Sequence, residues 1–298
     1  MIVGVIDIGS NSVKGFIYLI ENGNINSIKR KYFNTRLMES IKNGYINSYG
    51  EKNLCSTGVE LKEFFVENSC EKMFAFATSA MRSAKNKDEL IKKFHQATNI
   101  PVSVLTGRDE SYCDYLSLKY YCNEQHGMGV DLGGGSFQLI KYSEENLYSK
   151  SYPLGVLRLK QRFLSSLFAT DEEEENIKNC IINEVSTDRL LPSDEKTLNI
   201  MGGTGSAVKK LAYYCGVTKD NKQSYFTLDE FDLIGQKINE LGDKKEQFLR
   251  KQVFGREDTI MVGFVILKTL CNVLKVDGVN IMDSGVREGF ILNKIKKM

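Results

Sequence analysis

The sequence predicts an α/β protein of two duplicated domains with a cleft between them, and three observations carry that prediction. Strand-length apolar runs alternate with helix-length periodic segments along most of the chain. Two stretches, "VIDIGSNSVKGFIY" and "GVDLGGGSFQLIKY", carry Asp, an aliphatic residue, Gly, two residues and Ser at identical offsets, about 120 residues apart, a domain's length. The 298 residues suffice for two separate cores. We expect domains 1–124 and 125–298, with the final helix a candidate to pack back on the first domain.

The elements follow in order. "MIVGVIDIGSNSVKGFIYLIENGNINSIKRKYF" runs apolar in short blocks, broken at Gly9–Asn11 and at "ENGN", which predicts a hairpin or meander. "GVELKEFFVENSC" has helical spacing, "EKMFAFATSAMRSAKN" reads as a strand ending in a polar loop, and "KDELIKKFHQATN" as a helix with Asp88 and Glu89 at its positive end. "IPVSVLTGRDESYCDYLSLKYYC" reads as strand, turn and helix. A second hairpin or meander opens at "GMGVDLGGGSFQLIKY". Beyond it the chain is helix-rich: an acid-led helix at "DEEEENIKNCIINEV", strand, Gly loop and helix at "TLNIMGGTGSAVKKLAYYCG", and a helix at "TLDEFDLIGQKINEL" with Thr227 and Glu230 spaced as a capping box. "VNIMDSGVREGFILNKIKKM" ends the chain as strand, turn and basic helix.

Composition excludes several classes. A net charge of +2 gives no electrostatic case for nucleic acid or a membrane surface. No apolar run approaches the roughly 20 residues that span a bilayer, and the first residues lack a basic flank, so the cytoplasm is the expected location. Seven scattered cysteines without a C-x-x-C pair argue against zinc and disulfides. The two histidines, His95 and His126, are too few for a His-based metal centre and read as surface or loop residues.

The chemistry concentrates in three loops, "DIGSNS", "DLGGGS" and "GGTGS". Small residues let backbone N–H groups approach phosphate oxygens, and hydroxyls add donors. Asp7 and Asp131 end buried-looking strands, where a carboxylate can hold hydrated Mg²⁺ or simply cap its own turn.

These motifs resemble a known family. Paired D-[IL]-G-x-x-S loops mark the sugar kinase, heat-shock ATPase and actin superfamily. Within it the chain resembles the Ppx/GppA phosphatases, the exopolyphosphatases and guanosine pentaphosphate phosphohydrolases. "DIGSNSVKGFIY", "ATSAMRSAKN", "LTGRDESYCDY", "VDLGGGSFQL", "PLGVLRLKQRF" and "SGVREG" follow the family's motifs in order over nearly the whole chain. The resemblance implies two actin-like (ribonuclease H-like) domains and Mg²⁺-assisted attack of water on the terminal phosphate of polyphosphate or of pppGpp. It implies Glu110 as general base, Arg82 as a phosphate ligand, and Asp7, Ser10, Asn11 and Ser12 as the first phosphate loop. The second loop is Gly133, Gly134, Gly135 and Ser136, with Gly203 and Thr204 in the third and Asp131 and Asp7 as metal ligands. Arg287 and Glu288 read as a hinge or packing pair, and Lys14, Lys209 and Lys210 as added positive potential, or for the last two a solvated face. A homodimer is expected by resemblance alone.

The chain departs from the pattern at Gln138, which stands where the family carries Glu. Gln keeps size and hydrogen bonding but cannot take a proton or neutralise a cation; it can still orient water, as a Gln does in GTPases. Asp109 replaces a second family Glu. Two alternatives stay open: a catalytically attenuated sensor of polyphosphate or guanosine alarmone, and a small-molecule kinase in which "MGGTGSAVKK" contacts adenosine.

Overall fold

The structure, a computed structural model, describes residues 1–122, 125–144, 146–185 and 195–296. The chain divides into two compact units, Met1–Glu110 and Ser111–Met298. The division expected at 124/125 touches residue 124, outside the described ones; the observed division falls inside a helix, Gly107–Cys122.

In unit 1, β1 (Ile2–Ile8), β2 (Val13–Glu21) and β3 (Asn24–Phe33) form an antiparallel meander. A small hairpin, β4 (Ile41–Lys42) and β5 (Tyr45–Ile46), leads to helix α1 (Ser48–Glu67). Strand β6 (Lys72–Ala77), helices α2 (Ser79–Ser83) and α3 (Lys87–Thr98), strand β7 (Val102–Val104) and the start of α4 (Gly107–Cys122) follow. The sheet order is β3-β2-β1-β6-β7, with β6 and β7 parallel to β1. Central β1 is buried along nearly its whole length, which is why it reads as a continuous apolar run.

Unit 2 repeats this plan. Strands β8 (Gly127–Leu132), β9 (Phe137–Tyr142) and β10 (Leu147–Tyr152) form the meander, followed by α5 (Val156–Phe163) and α6 (Asp171–Val185). Strand β11 (Thr197–Met201), α7 (Gly202–Tyr214), β12 (Tyr225–Thr227), α8 (Leu228–Asn239), α9 (Lys245–Gln252), α10 (Ile260–Leu274), β13 (Gly278–Ile281) and α11 (Val286–Ile295) complete it. The order is β10-β9-β8-β11-β13-β12, the first five strands repeating the unit 1 topology and β12 adding an antiparallel edge. The duplication read from two short motifs is thus a duplication of sheets.

Helix α1 begins at Ser48, capped by the Asn47 side chain, well before Gly58 where helical spacing becomes visible. The "polar loop" after β6 contains the short helix α2. Helix α10 is buried on almost every side, so it shows no amphipathic period. The capping box of α8 forms as expected from Thr227 and Glu230. Helix α11 packs within its own unit: Gly289 lies against the Cys113 carbonyl of α4, where no Cβ fits. Among the described residues no helix is long and apolar enough to cross a membrane.

Candidate active site

The two duplicated loops close in the same way. Gly9 N–H donates to the Ser12 carbonyl and Gly133 N–H to the Ser136 carbonyl, each at 3.0 Å. A second segment then ties back the loop carbonyls in each unit. In unit 1, Met38 N–H donates to Ser10 O (3.0 Å) and Arg36 N–H to Asn11 O (2.8 Å). In unit 2, Val156 N–H donates to Gly133 O (3.1 Å) and Leu157 N–H to Gly134 O (2.8 Å). Across a trans peptide the carbonyl and the next N–H point in opposite directions. The N–H groups of Asn11, Ser12, Gly134 and Gly135 therefore turn away from these tethers, giving each loop an edge of donors suited to an anion. Gly155 makes the second tether possible, since a Cβ there would collide with Ser136 N and the Gly134 carbonyl. That explains the "LGVLRL" motif: its first turn backs the Gly133–Ser136 loop.

One register position beside the loops distinguishes the two units. Asp7 on β1 faces Lys14 on β2, and Asp131 on β8 faces Gln138 on β9. The buried Asp7 carboxylate pairs with Lys14 Nζ at 3.7 Å, and that ammonium also lies 5.2 Å from the Tyr32 ring. Gln138 is only 4% exposed; its Nε2 donates to Ser136 Oγ (3.2 Å) and to Ser151 Oγ (2.9 Å) on β10. The side chain is held in place beside the loop.

Asp131 sits against the starts of two helices. Its Oδ1 occupies the space a Cβ at Gly202 would fill, and its Oδ2 lies 3.1 Å from a Cβ built on Gly285. Gly202, with φ +81°, takes a conformation that favours glycine. It opens α7, and Gly285 caps α11, so the carboxylate faces the positive ends of both helices.

The third loop divides its roles. Gly203 lies under the Arg256 guanidinium, which meets the start of α7. Thr204 is buried and its hydroxyl donates to the Leu132 carbonyl at 3.0 Å. It fastens α7 to β8.

The acid and the arginine expected from separate motifs meet in unit 1. Glu110, 4% exposed in the first turn of α4, accepts a hydrogen bond from Arg82 Nη1 at 2.5 Å. The same nitrogen donates to the Leu105 carbonyl at 2.8 Å. One of Arg82's three nitrogens makes both bonds, and a guanidinium carries five N–H donors. The neighbouring acid does a different job. Asp109 Oδ2 accepts from Thr106 N–H (2.9 Å) and Thr106 Oγ1 (2.6 Å), while Asp109 N–H donates to Thr106 Oγ1 (3.1 Å). This reciprocal cap starts α4. The Thr106 hydroxyl bond, above all, holds the Asp109 carboxyl below the usual aspartate range. In "SGVREG", Glu288 caps α11 by accepting from Gly285 N–H at 2.9 Å, and Arg287 Nε lies 3.3 Å from Glu288 Oε1. Lys209 pairs with Asp283 at 3.5 Å, and Lys210 is exposed.

No group of three or more His, Cys, Asp or Glu side chains gathers among the described residues. Mg²⁺ does not need such a cage, because it binds through one or two carboxylates with waters and phosphate oxygens. The part-exposed Asp131 beside a donor-edged loop fits that mode. Asp7 fits it less well, because Lys14 already balances its charge.

Sequence reasoning missed Arg256, Ser151 and the capping role of Asp109. Arg256 lies in no recognisable pattern. Ser151 was reachable from a hairpin register, and the cap from the T-x-x-D spacing.

Comparison with known proteins agrees with this geometry. The model of the Ppx/GppA phosphatase family matches residues 16–298. The chain is similar to Exopolyphosphatase 1 of Mycobacterium leprae, 24% identical over 99% of this chain and 90% of that protein. It is similar to the guanosine-5'-triphosphate,3'-diphosphate pyrophosphatase of Pseudoalteromonas atlantica, 23% identical over 98% of this chain and 58% of that protein. Its fold is that of the Aquifex aeolicus Ppx/GppA family member, with a TM-score of 0.82 at 24% identity, covering 100% of this chain and 98% of the other.

Proposed function

The chain belongs to the Ppx/GppA phosphatase family, a family of hydrolases, and from that premise we propose that it removes the terminal phosphate of inorganic polyphosphate or of pppGpp. The observation that carries the reading is the pairing of buried Glu110 with half-buried Arg82. Glu110 takes the proton of the attacking water, for which a base must lie within hydrogen-bond reach. Arg82 holds that carboxylate with one nitrogen and offers its remaining donors to a phosphoryl oxygen. The Asn11 and Ser12 N–H groups in unit 1, and those of Gly134 and Gly135 with Arg256 in unit 2, are the donors that each unit offers to phosphate. Asp131 would hold a divalent cation, Mg²⁺ in this proposal, which when bound would neutralise charge on the phosphoryl group.

Gln138 favours a second reading, a catalytically attenuated binder of the same substrates, because a buried amide stands where a carboxylate is expected beside Asp131. The test is phosphate release from polyphosphate and pppGpp with Mg²⁺ present. Turnover that Glu110→Gln abolishes supports the hydrolase. Tight binding without turnover, unaltered by Glu110→Gln, supports the binder and overturns the hydrolase.

A further inference from the structure

The unit 2 sheet carries a cavity of about 610 Å³ on the face that packs against α4, and no residue of the phosphate loops lines it. Cavities of this size accommodate small organic ligands. Its floor is a row of side chains at one register: Tyr225 on β12 faces Asn280 on β13, which pairs with Asn199 on β11. Unit 1 provides an internal control. Asp131 is level with Met201 and Asp7 with Phe76, so Asn199 occupies the place held by Phe74 in the other copy. An amide on a central strand is costly to bury without partners, and a local break of the apolar rule points to use.

The amides are oriented by one another. Asn199 Nδ2 donates to the Met128 carbonyl (3.0 Å) and its Oδ1 accepts from Asn280 Nδ2 (2.8 Å). Asn280 Oδ1 is left as an acceptor. The exposed Tyr225 ring lies along the strand over Gly278, where no Cβ fits beneath it. The charged lining residues are spent elsewhere or exposed: Glu195 pairs with His126, Asp283 with Lys209, and Lys196 is open to solvent.

An uncharged floor disfavours an ionic ligand, which would be stripped of water without an opposite charge. An aliphatic ligand would leave the amide unsatisfied. A flat heteroaromatic ring satisfies both features: it stacks on Tyr225 and gives an N–H to Asn280. We propose that this cavity is a nucleobase-binding site, separate from the phosphate loops and independent of the hydrolase reading.

The test uses the full chain and ligands without phosphate, so that the loops play no part. Calorimetric titration with adenosine, guanosine, cytidine and free ribose should show saturable binding of at least one nucleoside and none of ribose. Tyr225→Ala and Asn280→Leu should each weaken that binding about tenfold or more, while Tyr225→Phe preserves it. Tyr225 is an exposed edge residue, so its substitution leaves a folded protein to measure. Absence of nucleoside binding at millimolar concentration, equal binding of ribose, or binding that survives both substitutions would overturn the proposal.

Discussion

Gln138 donates to two serine hydroxyls, and a hydroxyl is as good a donor as an acceptor. Gln138→Glu is therefore sterically neutral: both hydroxyls turn to donate to the carboxylate. The change adds negative charge directly across from Asp131. We expect Gln138→Glu to lower the Mg²⁺ concentration needed for half-maximal rate and to raise kcat on the order of tenfold, about 1.4 kcal/mol. An unchanged or lower rate at all Mg²⁺ concentrations would mean the site is built for an amide. Glu110→Gln should lower kcat by roughly 10²–10⁴-fold, the usual contribution of a general base, with the far-ultraviolet circular dichroism of the native fold. Glu110 and Arg82 were both legible as members of separate motifs. Their hydrogen bond was not, because it depends on Arg82 of α2 reaching the first turn of α4 across residues distant in sequence.

At the scale of elements, the start of α5 and the start of α4 each carry a consequence. Gly155→Ala forces a Cβ into the Ser136 and Gly134 backbone. It should cost about 100-fold in kcat/KM, since misplacement by about 1 Å has that effect, while circular dichroism stays native. Thr106→Ala removes the reciprocal cap of α4 and should destabilise the protein by about 1 kcal/mol. The cap also links stability to pH. Asp109 has a folded-state pKa below its ordinary value, so its contribution is complete above the ordinary aspartate range and is lost as pH falls through the lowered value. Melting temperatures of wild type and Thr106→Ala should converge over that acidic window. Element types were readable where period or punctuation was strong, as in β1, α3 and α8. Helix α2 is too short to show a period, and α10 is apolar all round, so both emerged only with tertiary packing.

The whole molecule carries two copies of one sheet plan, and two of the register positions where they differ bear on function: Lys14 against Gln138 and Phe74 against Asn199. The repeat was legible because the Asp, Gly and Ser offsets encode a loop closed by one hydrogen bond. What distinguishes the copies was not, because it requires knowing which residues sit level across strands. If both units serve one reaction, Ser12→Ala in unit 1 and Ser136→Ala in unit 2 should each lower turnover at least tenfold, and the double variant should lose less than the product of the two. The central claim, that a family member with Gln138 still hydrolyses a terminal phosphoanhydride, rests most directly on one measurement. Initial rates of phosphate release from polyphosphate and pppGpp with Mg²⁺ should be linear in enzyme for the wild type and fall at least 100-fold in Glu110→Gln. A folded, substrate-binding wild type that releases no more phosphate than Glu110→Gln would contradict the account.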